Sequence, residues 1–207
     1  MQQDMFSDNT NYSNNTHDIK KIRNGEYLYI PNFFTKEDSD NYLKSLKNEI
    51  AWKQESMNMY GKNVNFPRLT AWYGDNDKPY SFSGITLQPE PWAGVLEQIK
   101  VKVEQKTQEK FNSVLLNQYR NGDDSISWHT DAEPELGENP TIASVTFGEA
   151  RVFQMRHIET KEKVSLELEH GSLLIMQGEL QHYWQHQIPK TKKDKDIRIN
   201  LTFRKIN

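Results

Sequence analysis

The second half of the chain contains a series of short apolar segments, and this series limits the possible folds more than any other feature. From Phe111 onward, each segment has the length of one β-strand, or of two strands joined by a turn at His170 and Gly171, and Gly, Pro, Asn or Asp separates successive segments. The segments are "FNSVLLNQYR", "PTIASVTFG", "ARVFQMRH", "VSLELEHGSLLIMQG" and "IRINLTFR". Such a pattern is typical of antiparallel strands that close into a double-sheet roll or barrel.

The first half of the chain has a different pattern, with two segments at helical spacing. "TKEDSDNYLKSLKNEI" begins with a helix N-cap pattern from Thr35 to Asp38, and "PWAGVLEQIKVKVEQ" shows the same spacing of apolar residues. The apolar positions are Tyr42, Leu43, Leu46 and Ile50 in the first segment and Trp92, Val95, Leu96, Ile99 and Val103 in the second. We predict two amphipathic helices, preceded by a short strand in "EYLYIPNFF". Residues 1–24, rich in Asn, Asp and Ser toward their start, are predicted to form a flexible tail before a single domain at 25–207.

The composition excludes several kinds of site. The 207 residues include no cysteine, so disulfides, thiolate metal ligands and a cysteine nucleophile are excluded, and His, Asp and Glu remain as strong metal ligands. The net charge of -3 argues against a generally basic nucleic-acid coat protein, although a local basic groove stays open. No apolar run approaches the ~18 residues that a membrane span needs, and the polar N-terminus is unlike a secretory or transit peptide. We therefore expect a soluble, cytoplasmic protein with no membrane partner.

Candidate metal ligands occur in two segments, "SISWHTDAEPELG" and "LQHYWQHQIP". His129 and Asp131 stand two positions apart, so on a strand both side chains point the same way. With a histidine from the second segment they would form the two-histidine, one-carboxylate arrangement of non-haem Fe(II) oxygenases. His182 and His186 could instead share a helical face and bind zinc, but Tyr183 stands where a zinc hydrolase motif has its general-base Glu. An exposed polar loop without a metal is the remaining alternative.

The last segment, "RINLTFR", alternates polar and apolar residues. Every polar side chain of a strand there would face one side and every apolar one the other. The polar set is Arg198, Asn200, Thr202 and Arg204, and the apolar set is Ile197, Ile199, Leu201 and Phe203. Arginines inside a roll are costly unless they meet an anion, and a dicarboxylate co-substrate would supply one. The alternative is the exterior of a barrel with solvated arginines.

Several motifs together resemble the AlkB family of Fe(II)- and 2-oxoglutarate-dependent dioxygenases, most closely the members that repair alkylated nucleic acids. They are "PRLTAWYGD", "YSFSG", "NQYRNGDDSISWHTDAEPELG", "IASVTFG", "HGSLLIM", "WQHQIP" and "RINLTFR", and they extend from about Pro67 to the C-terminus. The resemblance implies an α+β, mainly β fold with a double-stranded β-helix (jelly-roll) core and N-terminal flanking helices. It also implies that His129, Asp131 and His186 bind the iron, whereas His182 does not.

The same resemblance implies roles for further residues. Arg198 would bind the distal carboxylate of 2-oxoglutarate, and the other residues of this pocket would be Asn117, Tyr119, Asn200, Thr202 and Arg204. In the substrate pocket, Tyr80 or Phe82 would stack on a flipped base across from His129. Glu133 would favour a positively charged methylated base, and Arg68 would contact the phosphate backbone.

Met59 and Tyr60 are candidates for the tip of a wedge that enters duplex DNA, and Tyr60 could equally stack on a single-stranded base. For these residues the alternatives are core packing of the aromatic rings and a solvated loop for Glu133. Ala132 departs from the family pattern, which often has an acidic residue directly after the iron-binding Asp.

The implied function is oxidative demethylation of 1-methyladenine and 3-methylcytosine in DNA, with RNA left open as a second substrate. It would use Fe(II), 2-oxoglutarate and O2 and release formaldehyde, succinate and CO2, with the protein acting as a monomer. One alternative keeps the iron centre but hydroxylates a protein or a small molecule, which the lack of a clear basic surface would allow. Another is a nucleic-acid-binding module whose metal site is structural.

Overall fold

The computed structural model describes residues 18–59, 61–75, 80–82 and 85–207, and the side chains of residues 59, 80–82 and 85–87 lie outside this description. In chain order the elements are β1 (Lys20–Ile22), β2 (Gly25–Ile30), α1 (Lys36–Glu49), β3 (Ser56–Met59), β4 (Lys62–Asn65), β5 (Leu69–Gly74), β6 (Tyr80–Phe82), β7 (Ile85–Leu87), α2 (Gly94–Thr107), β8 (Ser113–Tyr119), β9 (Ile126–His129), a 3-10 turn (Pro134–Leu136), β10 (Ile142–Gly148), β11 (Arg151–His157), β12 (Lys163–Leu168), β13 (Ser172–Gln177), α3 (Leu180–Tyr183), β14 (Trp184–Ile188) and β15 (Arg198–Arg204). The predicted α+β, mainly β class is confirmed.

The strands form two principal sheets. The larger has seven strands in the order β1-β2-β13-β10-β15-β8-β5, and the smaller has four in the order β12-β11-β14-β9. All neighbouring strands in both sheets are antiparallel, as the turn-separated segments predicted. Two separate hairpins, β3-β4 and β6-β7, lie before and after β5 in the chain. Side chains from both principal sheets line one cleft, so the functional residues lie between the sheets.

Both predicted helices form and pack against the larger sheet. Thr35 is the N-cap of α1, and its side-chain oxygen accepts a hydrogen bond from the backbone N–H of Asp38 at 3.1 Å. One core cluster joins Leu46 of α1 and Leu96 of α2 to Leu201 of β15. Trp92, predicted as helical, precedes α2, which begins at Gly94. The helices therefore bury one face of the larger sheet and leave the other to face the smaller sheet.

This packing decides the orientation of β15. Its apolar residues Ile199, Leu201 and Phe203 belong to the core cluster under the helices. Its polar residues therefore face the cleft between the sheets, and all of them are buried. The predicted alternation is confirmed, and the alternative of arginines on the exterior is excluded.

The predicted turn at His170 and Gly171 joins β12 to β13 and contacts α1. Gly171 has φ of +75°, and a Cβ at this position would lie 2.3 Å from the side-chain oxygen of Ser39. Only glycine combines this backbone conformation with so close an approach. The turn thus fixes the end of the larger sheet against the helix.

The N-terminal boundary differs in part from the prediction. Lys20–Ile22 lies within the segment predicted as a flexible tail, yet it pairs with β2 as strand β1. Residues 1–17 lie outside the described part of the chain, so the tail itself and the domain boundary stay predictions. Within the described residues, no helix combines the length and the apolar character that crossing a membrane requires.

Candidate active site

The structure brings together His129, Asp131 and His186. His129 ends β9, Asp131 follows two residues later, and His186 on β14 stands directly opposite His129 in the strand pairing. His129 Nε2 lies 4.0 Å from Asp131 Oδ1, and His186 Nε2 lies 4.0 Å from Asp131 Oδ2. One ligand atom from each residue lies within 4.8 Å of the others. This is the arrangement of three side chains that can bind one ion while leaving other coordination positions open.

The electrostatics of the three residues suit a divalent cation. Burial, with the nearby charges of His129 and Arg204, lowers the pKa of His186 to about 3, so its imidazole is neutral at pH 7 and keeps a lone pair for a metal. Burial alone would raise the pKa of Asp131, but Arg204, with Nη2 2.8 Å from Oδ2, and the two histidines hold it at about 2. Asp131 Oδ1 is buried and accepts no hydrogen bond from the described residues. A buried carboxylate oxygen without a donor calls for a cation, so the residues fit the Fe(II) that the resemblance implies.

Neighbouring groups orient the ligands. The backbone carbonyl of Ser127 lies 2.8 Å from His129 Nδ1, which places the proton on Nδ1 and leaves Nε2 for the metal. The side-chain oxygen of Gln181 accepts the backbone N–H of Asp131 at 2.9 Å, and Gln181 is itself buried. The sequence reasoning missed Gln181, because a single glutamine near a histidine carries no recognisable pattern.

The structure separates the two histidines of "LQHYWQHQIP". His182 lies exposed on the short helix α3, which ends at Tyr183, whereas His186 lies buried on β14. The two side chains therefore do not share a helical face, and the zinc arrangement that needs one is excluded. His182 lies outside the metal-binding group, as the resemblance implied.

A cleft beside the three ligands contains the residues expected to bind 2-oxoglutarate. It is lined by Asn117, Tyr119, Ser144, Arg198, Asn200, Thr202 and Arg204 together with the metal ligands. Arg198 is 1% exposed, and its Nη2 donates to Thr146 Oγ1 at 3.0 Å and to Asn200 Oδ1 at 2.7 Å. Its Nε and Nη1 are buried without an acceptor among the described residues. Its carbon Cζ lies 5.1 Å from the centre of the Tyr119 ring.

Arg198 is therefore prepared for an anion. Burial lowers its pKa to about 10, although Tyr119 opposes this effect. The unused N–H groups on Nε and Nη1 can each donate to an oxygen of a bound carboxylate. Ser144 and Thr146, which the sequence reasoning did not select, contact Asn200 and Arg198 from β10. The polar-apolar alternation in "IASVTFG", the same signal as in "RINLTFR", could have revealed them.

A second cavity of about 370 Å³ opens next to the metal ligands. His129 lines both this cavity and the cleft, and the other walls include Phe66, Arg68, Trp128 and Glu133. Glu133 Oε2 is buried and accepts no hydrogen bond from any described group. Glu133 therefore lines the cavity beside the metal site and has an unpaired, buried carboxylate oxygen, so it is not a fully solvated loop residue.

Arg68 lies inside the protein. It is 5% exposed, its Nε donates to Asn117 Oδ1 at 2.7 Å, and its Nη1 donates to the carbonyl of Ser125 at 3.4 Å. This position does not favour the predicted contact with a phosphate backbone, which stays a prediction.

The side chains of the other predicted substrate residues lie outside the described part of the chain. Tyr60 lies outside the described residues, and for Met59, Tyr80 and Phe82 only the backbone, on β3 and β6, is described. Their roles also stay predictions.

Comparisons with known proteins agree with this geometry. Residues 26–204 match the family described as the 2OG-Fe(II) oxygenase superfamily. The chain is 42% identical over 186 residues to the human alpha-ketoglutarate-dependent dioxygenase alkB homolog 3, covering 85% of this chain and 64% of that protein. It is 41% identical over 184 residues to the human DNA oxidative demethylase ALKBH2, covering 84% and 70% of the two chains. The chain thus spans about 64% of the length of the alkB homolog 3 relatives.

Solved structures share the fold at low identity. The structure of OsALKBH1 superposes with a TM-score of 0.62 at 18% identity, covering 91% of this chain and all (100%) of that one. A prolyl hydroxylase from Trichoplax adhaerens, in complex with a hypoxia inducible factor peptide, gives a TM-score of 0.61 at 12% identity, covering 87% and 83%. These likenesses confirm the predicted jelly-roll architecture. The family match over residues 26–204 and the 41–42% identity to the two human relatives show that this chain belongs to the 2OG-Fe(II) oxygenase superfamily and, within it, to the AlkB family.

Proposed function

We propose that this protein is an Fe(II)- and 2-oxoglutarate-dependent dioxygenase that removes methyl groups from 1-methyladenine and 3-methylcytosine in DNA. The observation that carries the proposal is the position of His129, which lines both the cleft containing Arg198 and the cavity containing Glu133. A co-substrate and a substrate could therefore meet at one metal ion. The relatives named as DNA oxidative demethylases support the choice of substrate.

The residues of the cleft bind and orient the co-substrate. Arg198 pairs with the distal carboxylate of 2-oxoglutarate, while Thr146 and Asn200 hold the guanidinium in place. When bound, Fe(II) and 2-oxoglutarate supply the oxidation by O2 that converts an N-methyl group into an unstable hydroxymethyl group, with succinate, CO2 and formaldehyde as products. Arg204 keeps Asp131 ionised, so this ligand binds the metal without first losing a proton.

The second cavity selects the base. The methylated edge of 1-methyladenine or 3-methylcytosine is inaccessible inside a duplex, so the base has to leave the stack to reach the metal site. Both methylated bases carry a positive charge that the normal bases lack. The buried, unpaired oxygen of Glu133 favours that charge, because water screens the interaction little inside the cavity. Glu133 therefore acts by positioning the charged base and not by transferring a proton.

The test is direct. The protein is loaded anaerobically with Fe(II) and 2-oxoglutarate, then exposed to air with single- and double-stranded oligonucleotides of DNA and RNA that carry either methylated base. We expect loss of one methylene mass and release of formaldehyde, both dependent on iron and 2-oxoglutarate, and the yields rank the four substrates. Conversion of 2-oxoglutarate to succinate without demethylation would indicate that the substrate is a protein or a small molecule instead. Absence of any conversion would favour a binding module with a structural metal.

We further propose that the protein acts as a monomer in the cytoplasm. Sedimentation of the full chain at micromolar concentration tests the first point, and elution or sedimentation as a dimer would contradict it. Fractionation of cells tests the second.

A further inference from the structure

Arg68 connects the two cavities of the site. Its side chain lines the 370 Å³ cavity beside Phe66, with Cζ 4.9 Å from the centre of that ring. Its Nε contacts Asn117, which lines the neighbouring cleft with Arg198. Asn117 lies on β8 between Thr70 of β5 and Asn200 of β15, so its backbone is fixed from both sides.

The contact with Arg68 decides the orientation of the Asn117 amide. A guanidinium carries only donors, so the amide oxygen has to face Arg68, and the structure places Oδ1 2.7 Å from Nε. The amide nitrogen Nδ2 then points away from Arg68. It makes no hydrogen bond to another described residue, and Asn117 is a wall of the cleft, so its two N–H groups are available to an oxygen atom there.

We propose that Arg68 is a positioning residue for the co-substrate: it holds the amide of Asn117 so that Nδ2 donates to 2-oxoglutarate. Without Arg68 the amide is free to rotate, and a carbonyl oxygen facing a bound carboxylate would repel it. A residue in the wall of the substrate cavity thereby sets the affinity of the neighbouring cleft. The inference rests on the proposed binding of 2-oxoglutarate but not on the identity of the methylated substrate.

The experiment measures 2-oxoglutarate binding by calorimetry with the full chain loaded with Mn(II), so that no turnover occurs. We expect Arg68→Met to weaken 2-oxoglutarate roughly 5- to 30-fold, or about 1–2 kcal/mol, the range for one fixed hydrogen bond. The affinity for Mn(II) itself should stay unchanged, because Arg68 does not contact the three ligands. In an Asn117→Ala background, Arg68→Met should cause no further loss, since it acts through Asn117.

Asn117→Asp tests the orientation while keeping Arg68. Aspartate retains an oxygen for Arg68 but replaces the N–H groups by a second oxygen, so we expect weaker 2-oxoglutarate binding with an unchanged or higher melting temperature. Arg156→Met is the matched control. Arg156 also donates to an amide, Gln185, at 3.1 Å and lies 4.3 Å from the centre of an aromatic ring, Trp128, but neither it nor Gln185 lines the cleft. Its loss should leave the affinity for 2-oxoglutarate unchanged.

Three results would overturn the inference: wild-type affinity in Arg68→Met, additive losses in the double variant, or wild-type affinity in Asn117→Asp. If Arg68→Met does not fold, Asn117→Asp decides alone. Failure of the wild-type protein to bind 2-oxoglutarate would overturn the proposed function as well, whereas binding that is indifferent to these substitutions would overturn only the role of Arg68.

Discussion

Replacing Arg198 by methionine should abolish most 2-oxoglutarate binding without unfolding the protein. Burial lowers the pKa of Arg198 from its usual range to about 10, which corresponds to roughly 3 kcal/mol against the charged form in the folded state. Two of its nitrogens have no acceptor in the described part of the chain, so the protein alone does not offset this cost. A bound carboxylate would supply both the missing charge and the missing acceptors.

The expected magnitudes follow from these terms. Removing one partner of a buried charged pair costs about 2–5 kcal/mol of binding, so Arg198→Met should weaken 2-oxoglutarate at least roughly 30-fold. For the protein without co-substrate, relief of the burial cost, roughly 3 kcal/mol, is opposed by the loss of two hydrogen bonds from Nη2, at about 1 kcal/mol each. The free energy of unfolding should therefore change by only about 1 kcal/mol.

Calorimetry with Mn(II)-loaded protein measures the first quantity, and urea unfolding of the protein without ligands measures the second. Arg151→Met is the control, because Arg151 is also buried but donates to the carbonyls of Asn121, Asp124 and Pro189 at 2.8–2.9 Å. It should lose stability and keep most of its 2-oxoglutarate affinity. Binding by Arg198→Met within about threefold of wild type, or a large loss of stability without ligands, would refute the reasoning.

Three further predictions concern the metal site, the substrate cavity and stability. His186→Ala should weaken Mn(II) at least roughly 100-fold and abolish turnover, whereas His182→Ala should leave Mn(II) binding largely intact; the reverse result in a Mn(II) titration would overturn the ligand assignment. Glu133→Gln should lower kcat/KM for 3-methylcytosine roughly 10-fold and leave the uncharged 3-methylthymine unaffected, so equal losses for both bases would remove the charge argument. Burial would raise the pKa of Asp124, but hydrogen bonds from Arg120 hold it below its usual range. A carboxyl with a lowered folded-state pKa stabilises above about pH 4 and loses this effect as pH falls through the folded-state pKa, so urea unfolding should separate Asp124→Asn from wild type at pH 7 more than at pH 3; a difference independent of pH would contradict this.

The features predicted from sequence were those encoded by neighbouring residues. The alternation in "RINLTFR" predicted the polar face of β15, and the Thr35 to Asp38 pattern predicted the start of α1. The first depends on the strand period of two, and the second depends on a hydrogen bond within one helical turn. In each case the deciding residues are close in sequence. Trp92 was predicted as helical from its apolar spacing, but α2 begins only at Gly94, so this spacing did not predict where the helix starts.

The choice between His182 and His186 could not be made from spacing. Both lie in one short segment, and it took the family resemblance to select His186. In the folded chain His186 lies opposite His129 because β14 pairs with β9, and that pairing is a long-range contact. Gln181 and Arg68 are further cases, since their roles come from contacts with Asp131 and Asn117.

The sequence by itself determined the mainly β class, the two helices and the residue types that can bind iron and a dicarboxylate. The tertiary structure alone decided that the polar face of β15 lines the cleft between the sheets, because the two helices cover its apolar face. It also placed His129 between the cleft and the cavity and left Arg198 and Glu133 with unpaired buried atoms. Local periodicity specifies which side chains share a face, but only the packing of distant strands specifies which faces meet, and the chemistry of this site depends on that meeting.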